Sequence, residues 1–468
     1  MITAVRSATA LYPPTVTPPP EPLRLRSFIF RVVRNPLLAL PRAAYEEPIV
    51  GLGPGRAPVY WVTGPDLVEE VLIKRAGAFT KTPVEKRVFR RTLGEGVLSS
   101  DGQLWRWQRR TMAPLFRHTE ILTYLPEMAQ PAEDQLAKWR ASPPGSIQAI
   151  DADMVETTFS VIARTMLMGG EPREAEIIKR ATARSLAYFS WELMYGMLRV
   201  PVWVPHPGSW TLRRTARQLR GAVFDIITRR QAEGGAGGGD LLGRLLAARD
   251  PETGEPMTME QLIDNLLTLL GAGHETTSRA LGWTLYLLAR APDWQDAVRD
   301  EMRAVVGEGR IGPEHLGALR ITQQVLKESM RLYSPVPVMS RLAVDPIELG
   351  GHSVPAGGTI IIPIFAIHRH RRLWDDPDRF DPTRFTPERE AAHARTQFMP
   401  FGAGPRICLG SAFAMTEATV ILASLVRAAR FEWDGKHVPE PVSRLTLQPR
   451  GGMPLKVTML DQRPLSYA

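Results

Sequence analysis

The chain has 468 residues, a net charge of +9, 44% hydrophobic and 23% charged residues, and a single cysteine. That balance supports a substantial core and excludes a disordered chain. One cysteine excludes any intramolecular disulfide and any iron–sulfur cluster held by several thiolates. The positive charge suits a nucleic acid, an anionic surface or an acidic protein, but no DNA-binding motif surrounds the densest basic run, His368–Arg372. That run reads as a solvated face, and no nucleic acid partner is expected.

Residues 1–44 form a leader, Pro-rich and extended or flexible from Pro13 to Pro22, then basic and amphipathic over 23–40. The second part suits a helix packed on the body, with loose contact to a membrane surface as the alternative. The N-terminus lacks the apolar run of a secretory signal, and no uncharged stretch is long enough to span a bilayer. A cytoplasmic protein without an integral membrane anchor is expected. Residues 45–468 read as one domain, since they carry no long polar linker and no fixed-period repeat. Within it, 57–63 reads as a strand, 65–74 as a helix, and 346–363 as short β runs split by Gly-Gly and Pro-Ala-Gly-Gly turns. Gly-rich stretches at 51–55 and 234–239 lack the phosphate-loop and dinucleotide patterns and read as loops. Helical periodicity dominates elsewhere, so the fold class is mainly α with a small β portion.

The clearest helix spans about 259–290, opened by a capping box of Thr258 and Gln261 and stopped by Pro292. At 1.5 Å per residue it crosses about 48 Å, most of a protein this size. Its centre holds Gly271, Ala272, Gly273, His274, Glu275, Thr276 and Thr277. Gly and Thr weaken a helix interior, which points to a functional kink or a close ligand.

Further on, Phe401-Gly402-Ala403-Gly404-Pro405-Arg406-Ile407-Cys408-Leu409-Gly410 places the only cysteine among glycines, just before an apolar helix over about 411–429. A tight loop, a helix N-terminus and the Arg406 cation all favour a thiolate. A small buried hydrophobe is the ordinary fate of a lone cysteine. The segment, however, resembles position for position the haem-binding loop of the cytochromes P450, Phe-Gly-x-Gly-x-Arg-x-Cys-x-Gly, in which Cys holds the iron. The resemblance implies that Phe401, Gly402, Arg406, Cys408 and Gly410 bind the cofactor, with Cys408 as metal ligand.

Three further stretches resemble the family in the expected order. Glu328-Ser329-Met330-Arg331, with Arg384 in Pro382-Thr383-Arg384-Phe385, implies a buried Glu328–Arg331–Arg384 support. Ala272-Gly273-His274-Glu275-Thr276-Thr277 is similar to the oxygen-activation segment. It implies proton delivery through Thr276 and Glu275 and a local widening at Ala272 and Gly273, rather than a Thr back-bond to the helix. His274 falls on the variable position and is not expected to be a ligand. Trp105 and Arg109, in Trp105-Arg106-Trp107-Gln108-Arg109, and Arg341 match residues that meet the haem propionates.

The resemblance, from about residue 45 onward, implies the cytochrome P450 fold with heme b between the long helix and the Cys loop. It implies a monooxygenase that inserts one oxygen atom from O2 into a lipophilic small molecule. Only 60 residues follow Cys408, so electrons are expected from a separate ferredoxin or flavodoxin with its NAD(P)H reductase. Arg106 and Arg110 offer a basic docking face. The aromatic-rich segment 188–210, with Val336, Val338 and Met339, is expected to line an apolar substrate channel. A peroxide-driven peroxygenase and a non-catalytic haem sensor are the rival readings.

Overall fold

The computed structural model describes residues 10–460 apart from 22, 24, 53–57, 167–171, 202 and 236–238. Parts of both Gly-rich stretches, and Ala57 of the expected strand, therefore lie outside the described residues. From Ala10 the leader is extended, as its prolines dictate by fixing φ and removing amide donors. It is tied to the body: Phe380 N–H donates to the Leu11 carbonyl at 2.9 Å, and the Tyr333 hydroxyl to that of Pro14 at 2.6 Å.

Helix α1 (Leu25–Arg34) follows and turns Val32 inward. A five-stranded sheet is built from β1 (Ile49–Leu52), β2 (Val59–Val62), β3 (Phe79–Thr80), β4 (Met339–Ala343) and β5 (Thr359–Ile362), in the order β1-β2-β5-β4-β3. The expected helix over 65–74 is α-helical from Pro65 to Glu69 and ends in a wider turn over Glu70–Lys74. The expected β runs of 346–363 are the hairpin of Ile347–Leu349 with His352–Val354, and then β5.

The helical body includes α2 (Pro83–Leu93), α3 (Gly102–Met112), α4 (Leu125–Ala141), α5 (Ile150–Met166), α6 (Phe189–Met197), α7 (Ser209–Ala232), α8 (Met259–Arg290), α9 (Arg320–Leu332) and α10 (Ser411–Ala428), with further helices between them. Helix α8 begins at the expected capping box, in which Gln261 N–H donates to Thr258 Oγ1 at 3.3 Å and Thr258 N–H to Gln261 Oε1 at 2.8 Å. It runs through the core against α5, α7, α9 and α10. Each fully buried Leu along it contributes about 1.5–3 kcal/mol. Trp283 anchors the far half, stacked on Tyr333 at 3.9 Å with its indole N–H on the Leu447 carbonyl at 3.1 Å. Among the described residues α10 is long and apolar enough to cross a bilayer, but it lies mostly inside the protein, as a core helix does.

The basic run His368–Arg372 is not the solvated face expected of it. His368, Arg369 and His370 are buried. The Arg369 guanidinium lies 4.0 Å over the Phe365 ring and 3.6 Å from Asp378, so aromatic faces and a carboxylate replace water around it.

Candidate active site

Residues 401–410 lead into α10 through a tight loop. Gly402 and Gly404 have φ of +74° and +72°. A β-carbon at Gly404 would lie 1.9 Å from the Leu72 carbonyl oxygen, so only glycine fits. Cys408 N–H donates to the Phe401 carbonyl at 2.9 Å and closes the loop. Gly410, the residue that caps α10, directs its N–H to the Cys408 side chain.

Cys408 is accessible, yet protein crowds it enough that burial pushes its thiol pKa up, against the weaker pull of the Gly410 N–H and the Arg109 charge. The pull expected of Arg406 plays no part in this balance. The Arg406 guanidinium instead lies 4.2 Å over the Trp105 ring and donates to the Ser100 carbonyl at 3.1 Å and Asp101 Oδ1 at 2.5 Å. Burial thus favours the protonated thiol where no metal binds. Coordination deprotonates a thiol outright, so the setting suits a metal ligand better than a free nucleophile.

Around the loop stands a cationic corner. Arg109 of α3 donates to the Ile407 carbonyl at 2.8 Å. Pairing of β4 with β5 and β3, which sets Arg341 opposite Ile360 and Leu342 opposite Thr80, brings Arg341 and Ser340 beside Lys81 and Thr82. Lys81 is buried, and its pKa is lowered chiefly by that burial, with Arg341 and Arg406 adding to it. Its acid, Glu85, lies 3.5 Å away and accepts from Ser340 N–H at 3.1 Å. Asp101 is shared between Arg406 and Lys86. Lys81, Arg341 and Arg406 thus outnumber their acids, and the corner attracts an anion. The sequence reading missed Lys81 and Glu85, which belong to no recognisable pattern.

The centre of α8 departs from expectation. The helix is α-helical without interruption from Met259 to Arg290. A β-carbon at Gly273 would lie 2.6 Å from Ile162 Cδ1, the free end of a side chain of α5. His274 is buried, its Nδ1 2.7 Å from the Leu270 carbonyl and its ring edge-on to Phe159. Ala272 is exposed and Thr276 half-buried, within a helix otherwise largely enclosed. The Thr276 hydroxyl donates to the Ala272 carbonyl at 2.8 Å, the back-bond that the motif reading had excluded. Glu275 points elsewhere, taking donors from Arg279 at 2.9 Å, Thr446 at 2.9 Å and Gln448 at 3.3 Å. Burial raises its pKa, but Arg279 and the other donors outweigh that effect, so the net shift is down and the carboxylate stays ionised.

A sulfur for a metal, a cationic corner for carboxylates and a small-residue helix face fit an iron porphyrin with propionate edges. The cytochrome P450 family profile matches residues 18–456. The chain belongs to the cytochrome P450 family. It is a P450 monooxygenase with a haem–thiolate cofactor, and its fold is that of the P450DA haem domain, with a TM-score of 0.83 and 26% identity over 96% of this chain and 99% of that one. Cyclooctatin synthase of Streptomyces melanosporofaciens is 30% identical over 99% of this chain and 98% of its own length. Cyclooctat-9-en-7-ol 5-monooxygenase of the same organism is 33% identical over 80% of both chains. Cytokinin hydroxylase of Arabidopsis thaliana is 32% identical over 87% of this chain and 80% of its own.

In this P450 the Glu328–Arg331 pair is fully buried, with bonds of 2.7 and 2.8 Å, and Arg384 approaches Glu328 to 3.5 Å. The expected basic docking face is halved. Arg106 is exposed, but Arg110 is bound in a fork by Asp250, both bonds 2.7 Å, and is held by Glu252 too.

Glu417 of α10 was also missed, although a lone acid in an apolar helix was a signal. It is fully buried, neither oxygen has a well-formed hydrogen bond, and its nearest polar neighbour is Thr277 of α8. Burial holds its pKa well above 4.5, which favours the protonated acid. A raised folded-state pKa costs stability as pH climbs above the unfolded value. Glu417→Gln is therefore expected to match the parent near pH 4 and exceed it by about 1–3 kcal/mol at neutral pH. Urea unfolding at both pH values checks this; an advantage that does not grow with pH contradicts it.

Proposed function

We propose that this P450 inserts one oxygen atom from O2 into a lipophilic small molecule, with electrons from a separate ferredoxin or flavodoxin and its NAD(P)H reductase. The observation that carries the reading is the single cysteine, held in a glycine-shaped loop beside a cationic corner. Cys408 is the iron ligand, and Arg109, Arg341, Arg406 and Trp105 hold the haem carboxylates. When bound, the haem supplies redox chemistry with dioxygen. Thr276 holds a proton at its hydroxyl beside the exposed Ala272. Glu275, ionised and paired with Arg279, supplies a further proton only after parting from that partner. Glu328, Arg331 and Arg384 support the fold near the Cys loop, and Arg106 is what remains of the docking face. The expected setting is the cytoplasm.

The names of two relatives support one substrate class ahead of the others. A Streptomyces relative is named for cyclooctat-9-en-7-ol, an unsaturated alcohol, and another for cyclooctatin, so terpenoids lead the candidates. The purified ferric protein titrated with terpenoids, fatty acids, steroids and aromatics is expected to show a saturable low-to-high-spin shift with terpenoids. A shift with another class moves the assignment there. With the matching ligand, O2 and electron donors, absence of product favours a haem sensor, and turnover with peroxide alone favours a peroxygenase.

A further inference from the structure

Three titratable side chains away from the Cys loop are buried together. Arg87 of α2, Glu192 of α6 and His206 of the 198–208 connection have side chains 7%, 5% and 0% exposed. Arg87 Nε donates to Glu192 Oε2 at 2.9 Å, and His206 Nε2 lies 2.8 Å from Glu192 Oε1. Arg87 Nη1 also donates to the Val200 carbonyl, so the connection is held to α2 at two points. The Tyr195 ring lies 5.5 Å from the Arg87 guanidinium and 5.4 Å, edge-on, from the His206 ring.

Both ring nitrogens of His206 face acceptors, since Nδ1 lies 2.8 Å from the Pro207 carbonyl. A neutral imidazole carries one N–H and satisfies one acceptor; the doubly protonated ring satisfies both. The charged and titratable groups that face the ring are Glu192 and Tyr195 of α6 and, across Glu192, Arg87 of α2. From α7 the Ser209 hydroxyl accepts the His206 N–H at 2.8 Å. Loss of the second proton removes a buried ion pair with Glu192 or turns a lone pair onto the Pro207 oxygen, and either change weakens the contact.

Helix α2 starts beside the cationic corner, where Thr82 and Glu85 meet Ser340. It ends at the centre of α8, where a β-carbon at Gly271 would lie 3.8 Å from Leu93 Cδ2. It thus runs from the corner to the neighbour of Ala272, and α6 and α7 both pack on it. We propose that Arg87, Glu192 and His206 form a proton-dependent latch that pins α6 and the 198–208 connection to α2 and limits how fast a bulky ligand passes them. Protonated His206 keeps the latch shut, and loss of its proton loosens it, so passage quickens as pH rises. The proposal rests on the haem-site reading above.

The test is stopped-flow binding of benzyl isocyanide, a bulky neutral ligand of haem iron, to the ferric holoprotein, with methyl isocyanide as the small control. Between about pH 5.5 and 8 the association and dissociation rates of benzyl isocyanide are expected to rise together, about tenfold, with Kd unchanged. Methyl isocyanide is expected to change far less. Glu192→Gln is expected to show the fast rates already at the low end of that range, with the haem spectrum kept. His206→Gln is expected to abolish the pH dependence, and Arg87→Lys to retain it. A parent that binds benzyl isocyanide at pH-independent rates overturns the latch alone, as does pH dependence that survives His206→Gln. An equal effect on methyl isocyanide also overturns it, because that places the change at the iron. A change in Kd without matched rates reduces the cluster to structural support. A parent that binds neither isocyanide contradicts the haem-site reading, and the latch with it.

Discussion

Arg331→Ala is expected to lose about 3–5 kcal/mol of stability and much of its haem occupancy. Both members of the Glu328–Arg331 pair are fully buried, and Arg331 also donates to the carbonyls of His368 and Pro377 at 2.7 Å and of Arg379 at 3.0 Å. Its guanidinium lies 5.1 Å over Trp374. Removing it strands three carbonyl oxygens and leaves the Glu328 carboxylate with only the Asp381 N–H at 2.8 Å and the more distant Arg384. The Coulombic worth of such a pair is largely cancelled by desolvation, so the loss comes from the uncompensated charge left behind. Urea unfolding with haem content measured in parallel checks the size. A loss below about 1 kcal/mol would reduce the network to the rank of an exposed ion pair.

Thr276→Ala is expected to leave stability nearly unchanged while diverting electrons from product to peroxide. The hydroxyl stands half-buried next to the exposed Ala272, and its one hydrogen bond among the described residues is to the helix carbonyl below it. Losing that bond is structurally cheap, whereas losing a positioned proton donor costs about 10²–10⁴ in the step it serves. Product and peroxide formed per NAD(P)H are the readout, with Thr276→Ser expected to restore coupling. Unaltered coupling in Thr276→Ala would sink the proton role.

What was legible in the chain was mostly local. The limits of α8 follow from a capping box and a proline, both short-range, and they fall at Met259 and Arg290 as expected. The Cys loop declares itself through glycines whose backbone angles the fold requires. Distant partners were harder to read. The Glu328–Arg331 spacing shows an ion pair but not its burial, which depends on carbonyls some 37 to 48 residues away. Arg110 looks free until Asp250 arrives from 140 residues further along. Lys81 meets Arg341 and Arg406 only because β3 and β4 pair. One further partner was legible from spacing. Arg279 stands four residues after Glu275 and was an obvious i,i+4 partner. The approach of Gly273 to Ile162 of α5, 111 residues earlier, was not readable from spacing.

The carbon monoxide difference spectrum of the reduced holoprotein, parent against Cys408→Ser, bears most directly on Cys408 as the haem ligand. The chain has no other cysteine, so no second thiolate can substitute. The parent is expected to show the red-shifted Soret band of thiolate-bound haem, and the variant to lose that band at equal haem content. A parent without the band, or a variant that keeps it, would contradict the assignment of Cys408 as the iron ligand.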